Sequence, residues 1–104
     1  RSGDILNAGG YRVAPREIEH VLEACSGVQE VGVTEVEVRP DVFVIAAFVV
    51  VEDPCDLAQL DALAARDLAR YKQPRIVQKV PALPRNANGK LIRAALPQLW
   101  NSAL

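Results

Sequence analysis

The residue pattern predicts an α+β domain: a small sheet of about three main strands plus a short N-terminal hairpin, packed with two main helices and a short C-terminal helix. Three observations carry this expectation. The ten-residue run at 42–51, entirely apolar and rich in valine, is too continuous to be half-exposed and reads as the central strand of a small sheet. Two other segments repeat apolar residues at helical spacing. Between these elements stand Gly, Pro, Asn and Asp clusters suited to turns.

From the start of the chain, Asp4-Ile5-Leu6 and Tyr11-Arg12-Val13 read as short extended pieces. They flank Asn7-Ala8-Gly9-Gly10, whose residues tolerate positive φ and suit a tight turn. Pro15 fits the first turn of a helix, with Glu17 and Glu19 near the positive end of its dipole. Ile18, Val21, Leu22 and Cys25 form its apolar stripe, and Ser26-Gly27 ends it. The valine-rich stretch 28–38 alternates but changes phase. Val31 and Val33 share one face whereas Val36 and Val38 fall on the other, which predicts a bulge or kink near Thr34-Glu35.

Arg39-Pro40-Asp41 is a turn signal before the central run. Asp53 and Pro54 suit the start of a second helix, whose stripe is Leu57, Leu60, Ala64, Leu68 and Tyr71. That helix ends at Lys72-Gln73-Pro74, because the residue before proline avoids the α region. Residues 76–80 read as a third strand and 81–90 as a polar loop. A short helix over 91–100, interrupted near Pro97, completes the chain.

The 104 residues fit one domain, large enough to hold a core without disulfides or metals. With 12 basic and 13 acidic side chains the net charge is −1, so no global field favours nucleic acid or an anionic membrane. No apolar run reaches membrane-spanning length. Cys25 and Cys55 match no metal or redox spacing and read as reduced, partly buried thiols of a cytoplasmic protein. With His20 the one histidine, no metal site is expected. The chain begins at Arg1 and contains no methionine, which is expected of a piece of something longer.

The residues that could carry chemistry are few. The turn at Gly9-Gly10 allows close backbone approach but matches neither dinucleotide nor Walker loops. Arg1, Arg12 and Arg16 stand near it and could meet phosphate. Glu17 and Glu19, two apart on a helix, point in different directions, so they are read as dipole compensation rather than an acid–base pair. Tyr11 and Trp100 are read as packing residues rather than base-stacking ones. Lys90, in PRNANGKLIR, could neutralise negative charge developing on a phosphate or carboxylate, although spacing alone favours an ordinary exposed lysine.

Three motifs read together alter that balance. RSGDILNAGGYRVAPREIEHVL, YKQPR (71–75) and LPRNANGKLIR (83–93) resemble, in order and separation, the eighth, ninth and tenth core motifs of the adenylate-forming enzymes. Acyl-CoA synthetases, peptide-synthetase adenylation domains and luciferases belong to that family. The resemblance covers essentially the whole chain and implies that residues 1–104 form the small C-terminal mobile domain of an acyl-CoA synthetase-like enzyme, with a large N-terminal domain as its partner. It implies a two-step reaction. A carboxylic acid attacks the α-phosphate of ATP with Mg²⁺ assistance, and a thiol, usually of coenzyme A, then displaces AMP.

The resemblance assigns Lys90 as the catalytic lysine of adenylation and Arg1 as the arginine near the nucleotide ribose. Gly9, Gly10, Tyr11 and Arg12 match the turn that lines the pantetheine tunnel after the domain rotates. Most ATP, AMP, coenzyme A and Mg²⁺ contacts are expected in the N-terminal domain, so this domain alone is expected to be inactive. Three positions depart from the family pattern: Gly3 stands at the hinge in place of Asp or Lys, Asn86 replaces Thr in the lysine loop, and Val42-Phe43 replaces a Gly-Glu/Gln pair, implying a tighter hairpin. Loading of a carrier-protein thiol, and a stand-alone α+β ligand-binding or regulatory module, are the alternatives. The exposed loop at Lys90 also resembles sites silenced by a protein acetyltransferase.

Overall fold

A computed structural model describes residues 5–8, 11–52 and 57–100. Leu6–Ala8 (β1) and Tyr11–Val13 (β2) form an antiparallel hairpin. Helix α1 (Pro15–Glu23) follows, then β3 (Val28–Arg39) and β4 (Val42–Val51), helix α2 (Leu57–Asp67), a 3-10 turn at Arg70–Lys72, β5 (Ile76–Lys79) and a 3-10 helix at Arg93–Leu99. The sheet has the order β3-β4-β5, antiparallel between the first two strands and parallel between the last two. The architecture is the expected α+β, with residues 42–51 as the central strand.

Both faces of this sheet are buried, in two separate cores. One joins Leu6 and Val13 of the hairpin, Ile18 and Leu22 of α1, and Leu60, Ala64 and Leu68 to Val31, Val33, Ile45, Ala47 and Val49. The other joins Val36, Ala46, Phe48 and Val50 to Val80, Leu83 and Leu96. Double-sided burial is why the central run is continuously apolar.

It also corrects the expected kink near Thr34-Glu35. Thr34 and Glu35 pair regularly with Ala46 and Ile45. Val33 and Val36 lie on opposite faces because each face has its own core. The register shifts fall elsewhere, between Val28 and Glu30 and between Glu37 and Arg39. In the first, Val28 opposes Val51 while Glu30 opposes Val50, so Gln29 is the extra residue of a β-bulge.

Three further boundaries move. The first strand sits two residues later than expected, because Leu6 and Val13 must oppose each other to be buried together. Ala8 pairs with Tyr11, leaving only residues 9 and 10 between the strands. The last helix starts at Arg93 instead of 91, and it is 3-10 rather than α. Leu91 and Ile92 are already engaged with Arg85 and Pro84 in closing the preceding loop, and Pro97 can supply no amide hydrogen. Tyr71, expected on the buried stripe of α2, is exposed beyond that helix's end. The expected helix start at Asp53-Pro54 and Cys55 lie outside the described residues. Cys25 and Trp100 pack as half-buried side chains against the two cores, as expected.

The β3–β4 turn is tight. Arg39 pairs with Val42, leaving only Pro40 and Asp41, and Asp41 takes a left-handed φ of 62°. Glu37 accepts a 2.8 Å hydrogen bond from the Asp41 amide. Val42 and Phe43 are exposed at this tip.

Candidate functional site

Residues 84–92 form a closed loop rather than a slack one. Arg85 and Leu91 make an isolated antiparallel bridge, and the Ile92 amide donates to the Pro84 carbonyl at 2.9 Å. Inside this frame the Asn86 amide donates to the Lys90 carbonyl at 2.9 Å, and the Gly89 amide donates to the Asn86 carbonyl at 2.9 Å. Gly89 takes φ 81°, a left-handed conformation that glycine adopts without the penalty of a Cβ. The Asn86 carboxamide does the rest. Its Oδ1 accepts from the Asn88 amide at 2.8 Å and from the Lys90 amide at 3.0 Å. This is an asparagine turn, in which one side-chain carbonyl oxygen reaches two amides at once.

The Lys90 side chain leaves this frame into solvent. It is exposed, and no described residue engages its ammonium in an ion pair or hydrogen bond. The loop is therefore a fixed backbone carrying one free cation. Its two ends are seated in the second core through buried Leu83 and half-buried Leu91.

The hairpin that holds the other predicted residues is seated in the first core, through Leu6 and Val13. The two surfaces thus root in opposite faces of one sheet. Arg12 is exposed, pairs across the hairpin with Asn7, and has a guanidinium that no described residue engages. Tyr11 is placed by its backbone in β2, opposite Ala8. Arg1, Gly3, Gly9 and Gly10 lie outside the described residues. Of the three arginines that could meet phosphate, Arg16 is bound to Glu19 at 2.8 Å and lies 3.7 Å from Glu23. The hydrogen bond that Arg16 donates to Glu19, together with charge attraction, raises the Arg16 pKa above the ordinary arginine value.

Reading Glu17 and Glu19 as equivalent dipole compensation fails for Glu19. Its side chain is 1% exposed, on the stripe of α1 that also buries Pro15, Ile18 and Leu22. One oxygen accepts from Arg16; the other accepts from the Val33 amide at 2.9 Å and from the Arg93 guanidinium. The same Arg93 nitrogen donates to the Val33 carbonyl at 2.8 Å. Strand β3 is an edge strand, and Val33 turns both backbone groups outward. Glu19 and Arg93 satisfy them as a neighbouring strand would.

The clamp ties α1, the edge strand and the start of the 3-10 helix together, just beyond the lysine loop. A charged residue four after Pro15, on a buried stripe, is the sequence signal for it. Glu17 is different: it is exposed and meets Lys72 at 2.9 Å. Lys72 also stands 5.6 Å above the Tyr71 ring.

A groove of about 240 Å³ separates the lysine loop from α1, lined by Arg16, Glu19, Glu23, Glu30, Arg85 and Arg93, among others. Each arginine there faces a glutamate, so the groove is a charge-balanced seam. No group of three or more His, Cys, Asp or Glu among the described residues could hold a metal ion. No helix among them is long and apolar enough to cross a membrane.

Comparison with known proteins agrees with this geometry. The family model described as "AMP-binding enzyme C-terminal domain" matches residues 17–90. A 2-succinylbenzoate–CoA ligase of Listeria monocytogenes is 38% identical over 101 residues, covering 94% of this chain and 21% of the relative. A long-chain-fatty-acid–CoA ligase of Bacillus subtilis is 39% identical over 101 residues, covering 92% and 18%. Among solved structures, a fatty acyl CoA synthetase of Mycobacterium tuberculosis superposes with a TM-score of 0.86 at 33% identity, covering 96% of this chain and 20% of the other.

The chain belongs to the AMP-binding enzyme C-terminal domain family, and its relatives are acyl-CoA ligases. It spans about a fifth of the length of those relatives.

Proposed function

We propose that the chain is the mobile C-terminal domain of an ATP-dependent acid–thiol ligase, an acyl-CoA synthetase whose N-terminal domain holds most of the nucleotide and acyl pockets. Lys90 serves the first half-reaction. Its ammonium bridges the carboxylate and α-phosphate oxygens, lowering the barrier as the acid's oxygen attacks phosphorus and pyrophosphate departs. The hairpin face, with Gly9, Gly10, Tyr11 and Arg12, serves the second half-reaction by lining the passage for the pantetheine thiol. Arg1 meets the nucleotide ribose, and Gly3 supplies the hinge for rotation between the two states.

The observation that carries this reading is the seating of the lysine loop and the hairpin in opposite cores of one rigid sheet. A domain with two working surfaces facing apart must turn to offer both to one active site. The exposed, unengaged ammonium of Lys90 suits a group that finds its partners in another domain. Coenzyme A is the preferred acceptor because both ligases named above are CoA ligases. Magnesium would assist departure of pyrophosphate, held mainly by the nucleotide phosphates and the N-terminal domain as the family resemblance implies. A cytoplasmic location fits ATP and coenzyme A as substrates, and the long-chain relative makes fatty acid activation one candidate role.

The test is Lys90→Ala in the full-length enzyme. Acyl-adenylate formation, followed as pyrophosphate release, is expected to fall by about 10²–10³-fold, the scale of losing one charge-stabilising donor. Unimpaired adenylation would refute the role given to Lys90. Acetylation at the same nitrogen would remove the same charge, so a protein acetyltransferase can silence the enzyme. Mass spectrometry after incubation with an acetyltransferase and acetyl-CoA is expected to find the modification at Lys90, and an unmodified Lys90 would contradict it.

A further inference from the structure

The structure assigns Arg85 as a positioning residue for Lys90, held in place by Glu30; the inference rests on the adenylation role proposed for Lys90. One guanidinium nitrogen of Arg85 donates to the Gly89 carbonyl at 2.9 Å, and another donates to the Glu30 carboxylate at 2.7 Å. The Gly89 carbonyl belongs to the peptide unit that enters Lys90. The N–H of that unit is held by the Asn86 side chain, and the Lys90 carbonyl is held by the Asn86 amide. With Arg85 in place, the Gly89 carbonyl and both the amide and the carbonyl of Lys90 are committed, so the direction in which its side chain leaves the loop is set before any substrate arrives.

Glu30 reaches Arg85 because of the bulge at Gln29. Val28 packs against the first core, and simple alternation would send the side chain at position 30 to that same face. The extra residue reverses the phase. Glu30 instead opposes Val50 and shares the side of Gly32 and Val36, where the lysine loop is seated. Bulges re-aim side chains in this way. The pair is also 55 residues apart in sequence, so it ties the loop to the rigid sheet and not merely to itself.

An exposed ion pair contributes little to stability, so the consequence falls on geometry. Displacing a reacting group by an ångström costs on the order of 10²-fold in rate. A loop that retains its asparagine turn but loses the Arg85 bracket should lose a fraction of that.

The test uses the full-length enzyme and both half-reactions, with thioester formation started from preformed acyl-adenylate. Arg85→Gln is expected to lower the turnover number of adenylation about tenfold, leaving KM for ATP and acid within twofold and the thioester step unchanged. Glu30→Lys, which repels Arg85, is expected to show the same split. Glu30→Gln, which keeps an acceptor oxygen, is expected to stay within twofold of the parent.

If Arg85→Gln and Glu30→Lys spare adenylation while Lys90→Ala abolishes it, the positioning role is wrong and the lysine assignment stands. If both half-reactions fall together with the melting temperature, Arg85 is merely structural and the inference is overturned. If Lys90→Ala itself spares adenylation, the underlying reading fails, and the positioning role with it.

Discussion

Single side chains carry the proposed chemistry, and the sequence discloses them unevenly. Lys90 was recognisable only through motif resemblance, since an exposed lysine after a turn has no local signature. The clamp at Glu19 is not legible locally, because its partners Val33 and Arg93 lie 14 and 74 residues away. Such a partner leaves no trace in periodicity; only the charge on an apolar stripe hints at it. The two neighbouring glutamates of α1 therefore differ in weight. Glu19→Ala would remove a buried carboxylate partner of Arg93 and leave the Val33 amide without its acceptor, at a cost of about 3 kcal/mol. Glu17→Ala removes an exposed partner of Lys72 and is expected to change stability little. Urea titration of both variants checks the contrast, and equal midpoints would contradict it.

At the scale of elements, periodicity located the helices, the strands and the central position of β4. It located the hairpin within two residues. It failed where two cores meet one strand, because a regular alternation between two buried faces looks like a change of phase. The real bulge, at Gln29, was invisible because neither neighbour breaks an apolar pattern.

The contact between β3 and the 3-10 helix was equally silent in the sequence. Gly32 leaves room for Leu96: a Cβ built there would lie 3.2 Å from both of its methyl carbons. Leu96 is fully buried and has little space to retreat. Gly32→Ala is expected to cost about 1 kcal/mol through overpacking. In the background of Leu96→Ala the same change should cost less, so the double variant is milder than the sum. Strict additivity in denaturant unfolding would show that the two do not press on each other.

At the scale of the whole molecule, one sheet seats the lysine loop on one side and the hairpin on the other, and each presents an exposed cation, Lys90 or Arg12, that no described residue engages. Its fold was legible from burial pattern and turn chemistry. Its family was legible only from three ordered motifs read together, because each proposed site is one that another domain would complete. The division of labour is the central claim, and crossing two variants with two half-reactions tests it most directly. In the full-length enzyme, Lys90→Ala should depress adenylation by about 10²-fold or more and leave thioester formation from preformed acyl-adenylate intact. Arg12→Glu, on the hairpin face, should do the reverse, since a misplaced charge at the thiol passage costs on the order of tenfold or more and lies far from the adenylating surface. Loss of the same half-reaction in both variants, or equal loss of both half-reactions in either, would contradict a domain that works by turning.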